Sequence, residues 1–215
     1  WGGSLENRAR FLLESIRAVR KAVGPNYPVA VKLNSDDFRK GGFSHEECLQ
    51  VVQWLNHEGV DLLEISGGTY EQPRLLGHTG SADSIKEETV AVRPSTRQRE
   101  AYFLEYAAAI RQFAKMPLMV TGGFRSRAAM EQALADGDCD LIGLGRPLCT
   151  DPDTVNDLLC GRIDRVASYE NQLHLAATGV LSPTSTLLPI KLINVQGAQA
   201  WYYQQIFRLA AGKPT

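Results

Sequence analysis

Two glycine-tipped segments carry most of the chemistry in this sequence. Thr-Gly-Gly-Phe at 121–124 follows the short apolar run Leu118 to Thr121, and Gly-Arg-Pro-Leu at 145–148 follows Leu141 to Leu144. About one helix's worth of residues separates the runs, which makes a strand, helix, strand unit with parallel strands. Glycine after a parallel strand lets the backbone approach a ligand closely, and amides at the next helix's start suit an anion. Arg146 adds a planar fork that suits a phosphate dianion, which a lysine would only approximate. Gly122 with Gly123 and Gly145 with Arg146 therefore read as two halves of one phosphate clamp. In an eight-stranded βα barrel, such a clamp usually sits in the loops after strands seven and eight. Lys32 stands inside the apolar run Val-Ala-Val-Lys-Leu. An unpaired buried ammonium there is costly, so it asks for a partner, and Glu64, at a similar height on the next strand, offers one.

The bulk numbers narrow the classes. A chain of 215 residues buries one substantial core without needing a second. A net charge of -1 argues against broad capture of nucleic acid or anionic membrane, which leaves small-molecule chemistry as the expectation. Cys48, Cys139, Cys149 and Cys160 show no metal-ligand spacing and read as reduced thiols of a cytoplasmic protein, with no metal site. No apolar run approaches the roughly 18 residues of a membrane helix, and no signal-peptide pattern opens the chain. Because Trp1 is not an initiator methionine, the sequence is expected to begin partway through a longer product.

The elements that must position these residues follow in order. Ser4 is placed to cap a helix of about five turns over 5–23, with Leu5, Phe11, Leu12, Ile16, Val19 and Val23 near one face. Pro28 to Leu33 reads as a buried strand, Ser44 as the cap of a helix closed by Gly59, and Val60 to Ile65 as the next strand. From Thr69 to about Gln98 the sequence is polar and aperiodic, which suggests a lid, a binding loop or a mobile segment. A helix over 99–113 precedes the strand ending at Thr121. Ser126 caps a helix to about Ala135, a strand runs from Asp140 to Leu144, and a helix spans 153–159. Val166 to Leu175 is read as helical, Leu181 to Ile190 as a surface strap and Gln196 to Leu209 as a terminal helix with Trp201, Tyr202, Tyr203 and Phe207. Four strand-helix repeats preceded by a helix without its own strand cannot close an eight-stranded barrel. The chain is then either half of a barrel or a small open sheet, and the orphan helix favours the half.

The opening Trp-Gly-Gly-Ser-Leu-Glu-Asn-Arg-Ala-Arg-Phe, with Val-Ala-Val-Lys-Leu-Asn-Ser, Leu-Leu-Glu-Ile-Ser-Gly-Gly, Thr-Gly-Gly-Phe and Gly-Leu-Gly-Arg-Pro-Leu, resembles the Old Yellow Enzyme family. These are the FMN-dependent NADH:flavin oxidoreductases that include 2,4-dienoyl-CoA reductase-like enzymes. The resemblance implies an α/β chain of the (β/α)8 TIM barrel class, covering strands five to eight, the preceding helix and a C-terminal helical tail. Residues 1–165 would be the C-terminal half of the flavin-binding barrel, with 166–215 a strap and helix packed on the same domain.

The resemblance also implies roles. Lys32 matches a basic residue beside the flavin's N1 and O2 edge, where a cation stabilises charge that develops on the reduced ring. Gly122, Gly123 and Phe124 match a loop whose amides meet the FMN phosphate and whose aromatic lies near the ring system. Gly145 and Arg146 match the pair that completes the phosphate site. Tyr70 borders a substrate mouth or is a solvated loop residue. The family's substrate-holding histidine pair and proton-donating tyrosine lie upstream of this sequence, so no catalytic residue is assigned. His45, His57, His78 and His174 read as surface or packing residues.

Three functions follow as expectations. The first is the C-terminal half of an FMN-dependent oxidoreductase of the ene-reductase type, with NAD(P)H as reductant and a small-molecule substrate, inactive as this fragment alone. The second is a non-catalytic half-barrel that pairs with a separate N-terminal half or with a second copy as a homo-oligomer. The third is a non-flavin barrel with the same clamp for a sugar phosphate.

Overall fold

Serine hydroxyls start three of the helices. Ser4 Oγ accepts from the Asn7 amide at the head of α1 (Leu5–Val23). Ser44 Oγ accepts from the Glu47 amide while the Glu47 carboxylate accepts from the Ser44 amide, a reciprocal box that opens α2 (His45–Leu55). Ser126 Oγ accepts from the Ala129 amide to begin α4 (Arg127–Ala135). Between and after them lie β1 (Ala30–Asn34), β2 (Leu62–Ser66), α3 (Leu104–Arg111), β3 (Leu118–Thr121) and β4 (Leu141–Gly143). A 3-10 turn (Arg146–Cys149), α5 (Thr154–Leu159) and α6 (Leu188–Ala210) complete the order. The computed structural model describes residues 1–37, 40–66, 104–169, 172–183 and 185–215. Gly67, Gly68, Tyr70, His78 and the polar stretch from Thr69 to Gln98 lie outside the described residues.

The strands form one parallel sheet in the order β1-β2-β3-β4. Since side chains alternate across a strand, the register sorts them onto two faces. Val31, Leu63, Ile65, Leu118 and Val120 occupy one face and are buried in a core with Ile16, Val51, Val52, Leu55, Ala107, Ile110 and Ala133 from the helices. Ala30, Lys32, Leu62, Glu64, Met119 and Leu141 occupy the other face, outside that core, and Leu141 is 44% exposed. Among the described residues, helices cover one face of this four-stranded parallel sheet, as in part of a (β/α)8 barrel, whose inner wall corresponds to the other, helix-free face.

At the amino ends of the strands, one arrangement occurs twice. Asp61, just before β2, accepts from the Val29 amide at 2.8 Å and from Arg20 of α1 at 2.5 Å. Asp140, just before β4, accepts from the Leu118 amide at 2.7 Å and from Arg111 of α3 at 2.7 Å. Each aspartate satisfies the first donor of the preceding strand and ties it to the last turn of the preceding helix. The Val29 amide and Arg20 hold the Asp61 carboxyl below its ordinary range. Burial works against the same effect at Asp140, but the Leu118 amide and Arg111 outweigh it.

Several expectations are corrected. Phe11 lies about 140° around α1 from the buried Ile16, so it faces away from the core and meets Trp1 edge-on instead. Val19 and Val23 are also exposed, and α2 stops at Leu55, with Gly59 in the turn beyond it. The described residues of the span Val166 to Leu175 are not α-helical. The Val166 amide donates to Arg125 O at 2.8 Å and Arg165 bridges Ser126, which commits that backbone to an extended course. The terminal helix begins at Leu188, eight residues before the expected Gln196, because Pro189 suits a first helical turn where its missing N–H costs nothing.

The one-sided burial sets a test. In the 215-residue chain, Leu63→Ala is expected to cost about 2–5 kcal/mol in urea unfolding, and Leu62→Ala, one residue away on the open face, about 1 kcal/mol or less. Equal costs would show that the second face is covered too.

Candidate flavin-phosphate site

The helix-free face ends, at the carboxyl tips of the strands, in a row of small or polar residues. Asn34 pairs with Ser66 and Thr121 pairs with Gly143. Lys32 lies on the same face two residues before Asn34, because side chains alternate. Thr121 Oγ1 is buried and has no hydrogen-bond partner among the described residues. It lies where a side chain on Gly143 would begin: a Cβ there would meet Thr121 Oγ1 at 1.9 Å and Thr121 Cβ at 2.8 Å. A sequence signal for this row existed, since the runs ending in Leu-Asn, Ile-Ser and Val-Thr each finish on a polar residue. Thr121 itself was not singled out, because a threonine closing a strand is ordinary.

The two glycine segments leave adjacent strand tips. Gly122 and Gly123 have φ of 130° and 83°, conformations that other residues adopt only at a cost. The chain beyond them is fastened. Arg125, which is buried, donates from Nε to Ser168 Oγ at 3.0 Å and from a terminal nitrogen to Phe124 O at 2.6 Å. On the neighbouring strand, Gly145 precedes the 3-10 turn that Arg146 opens, and Arg146 is half-buried. The start of α4 is not part of a clamp, contrary to expectation. Ser126 Oγ accepts from the Ala129 amide, and the Arg127 amide donates to Asp164 O at 2.9 Å, so protein acceptors already take these donors.

Phe124 is placed differently from its expected position beside a ring system. Its side chain is 1% exposed and belongs to the hydrophobic core, so its backbone is what this loop presents. Lys32 Nζ makes the ion pair weighed for it, 2.7 Å from Glu64 Oε1, and its side chain is 55% exposed on the helix-free face against 18% for Glu64. His45 opens α2 and packs edge-on to Tyr106 with centroids 5.0 Å apart, while His57 is exposed in the turn after α2. Burial pushes the Cys48 thiol up to about 12 and Cys139 up to about 11, so both are packed and unreactive. Among the described residues, no group of three or more His, Cys, Asp or Glu is placed to hold a metal ion, and no helix is long and apolar enough to cross a membrane.

Backbone bent by two positive-φ glycines, a guanidinium in the turn after the next strand and a buried hydroxyl with no partner among the described residues form a donor set that fits a phosphate-bearing group. An ammonium farther along the same face fits an electron-rich ring edge.

Comparison with known proteins bears on the family and the fold. Residues 1–164 match the NADH:flavin oxidoreductase / NADH oxidase family. The NADH-dependent flavin oxidoreductase iccE of Talaromyces variabilis is 34% identical over 218 residues, which cover 98% of this chain and 49% of that protein. A 2-naphthoyl-CoA reductase in complex with 2-naphthoyl-CoA superposes with a TM-score of 0.60 at 32% identity, over 75% of this chain and 22% of that one. Morphinone reductase in complex with tetrahydroNAD shares the fold, with a TM-score of 0.51 at 22% identity over 78% of this chain and 38% of that one. The chain thus spans about half the length of iccE and a smaller share of the two enzymes of known structure.

The contact between Thr121 and Gly143 is open to measurement. Gly143→Ala is expected to lower stability by about 1–3 kcal/mol, because the new methyl meets Thr121 Oγ1, Cβ and Cα rather than a flexible tip. Adding Thr121→Ala should restore part of the loss in urea titrations, and no recovery would place the strain elsewhere.

Proposed function

Since the chain belongs to the NADH:flavin oxidoreductase / NADH oxidase family, we propose that it supplies the phosphate-holding and ring-tuning half of an FMN-dependent oxidoreductase of the ene-reductase type. The cofactor is FMN and the reductant NADH, as the family's description and its relatives' names have it. When bound, FMN supplies hydride chemistry between the nicotinamide and an electron-poor acceptor. The observation that carries the reading is that Lys32, Thr121 and both glycine segments share one face or one set of strand tips, although they are far apart in sequence.

This chain's own residues then have distinct tasks. The backbone of Gly122, Gly123 and Phe124 lines one side of the phosphate, with the buried Phe124 ring fixing the loop to the core. Gly145, where a Cβ would meet nothing within 4 Å, leaves the backbone open, and Arg146 offers paired donors to the dianion. Lys32 holds positive charge beside the ring edge, where negative charge grows during reduction. The groups that hold the substrate and move its proton lie outside residues 1–215. Residues 1–165 act as the barrel half and 166–215 as its strap and closing helix, in a cytoplasmic protein.

A second reading rests on the helix-free face, where Leu62, Met119 and Leu141 stand outside the core. Four further strands, from an N-terminal half or from a second copy of the chain, would bury them and give a homo-oligomer in the latter case. By itself the 215-residue chain would then be a binding or assembly module without turnover. Light scattering after size exclusion separates the cases, since a stable compact monomer counts against obligatory pairing.

The flavin reading predicts a yellow protein with flavin absorption bands. Arg146→Ala should weaken FMN binding roughly ten- to a hundredfold while leaving riboflavin, which lacks the phosphate, nearly unaffected. Equal losses for both ligands would remove Arg146 from the phosphate site.

A further inference from the structure

The ion pair on the helix-free face has an asymmetry that bears on the site. Lys32 and Glu64 are register partners on adjacent parallel strands, and Nζ lies 2.7 Å from Oε1. The carboxylate is the more enclosed member, at 18% exposure against 55% for the lysine. On this face Glu64 sits between Lys32 and Met119, with Leu62 two residues before it on the same strand, so Lys32 is the charged neighbour in register with it. A carboxylate among apolar neighbours needs its counter-ion, and a long flexible ammonium needs an anchor. An ordinary exposed pair would be worth little and would set nothing. Here the more enclosed member belongs to an inner strand of the sheet, and the exposed member stands on the edge strand of the same face.

We propose that Glu64 is the positioning residue of this site. Its carboxylate fixes the Lys32 ammonium over the helix-free face and offsets part of its charge, so it sets how strongly the site favours an anionic ring over a neutral one. The proposal rests on the flavin reading above. Its sign follows from electrostatics: a fixed negative charge near the ring edge disfavours the reduced, anionic form, and a fixed positive charge favours it. Lys32 alone would favour the reduced form strongly, and Glu64 tempers that preference while holding the ammonium in place.

The test uses the protein loaded with FMN. Oxidised and reduced FMN affinities are measured together with the two-electron potential against a redox dye. Glu64→Gln should tighten reduced FMN relative to oxidised about tenfold, which corresponds to a positive shift of about 30 mV for a two-electron couple. Lys32→Met should shift the potential the other way. Glu64→Asp, which keeps the charge but withdraws it by one methylene, should fall between wild type and Glu64→Gln. Urea midpoints of all variants are read alongside, so that a loosened fold is not mistaken for altered affinity. An unchanged potential in a folded, FMN-loaded Glu64→Gln protein overturns the positioning role and leaves the flavin reading standing. A wild-type protein that takes up no FMN overturns both.

Discussion

Among the described residues, this sheet gives one of its two faces to the helices, and the rest of the structure depends on that choice. Parity along each strand is strict, so once Val31, Leu63, Ile65, Leu118 and Val120 are committed to the core, their neighbours must appear on the other side. That rule brings Lys32, Glu64 and Thr121 onto a common face from three different strands. A one-residue slip of β2 would send Glu64 into the apolar layer and Ile65 into the open, an exchange the core would resist. The site is therefore secured by hydrophobic burial on the opposite side of the sheet.

Much of this was legible in the sequence because it is local. The three serine caps, the glycine pairs after apolar runs and the count of strand-helix repeats all depend on residues within a turn of one another. What was not legible depends on distant partners. The extended course of 166–168 comes from pairing with Arg125 and Ser126, about forty residues earlier. The start of α4 looks like an anion site until Ser126 and Asp164 are seen to occupy its donors. Phe124 looks like a ring-facing aromatic until the loop's turn sends it inward. Pro189 suggested a strap, although the same residue suits a first helical turn.

The two ends of the sheet differ in character. At the amino ends, aspartates, arginines and strand amides satisfy one another, and Asn56 adds to the closure by donating to Phe113 O and accepting from the Lys115 amide, both at 2.9 Å. At the carboxyl ends, the Thr121 hydroxyl has no partner among the described residues, and glycines take the place of side chains. The polar fastenings thus gather at one end of the strand axis and the glycines at the other, the division expected where loops vary on a fixed base.

The repeated aspartate, Asp61 before β2 and Asp140 before β4, marks the sheet as two tiles of the same design laid side by side. Each tile carries its own fastening of helix to strand to strand, and Asn56, bonded to Phe113 O and the Lys115 amide, rivets one tile to the next over a shared core. The seam where β2 meets β3 is therefore stitched from both sides, and a cut there would loosen both tiles at once.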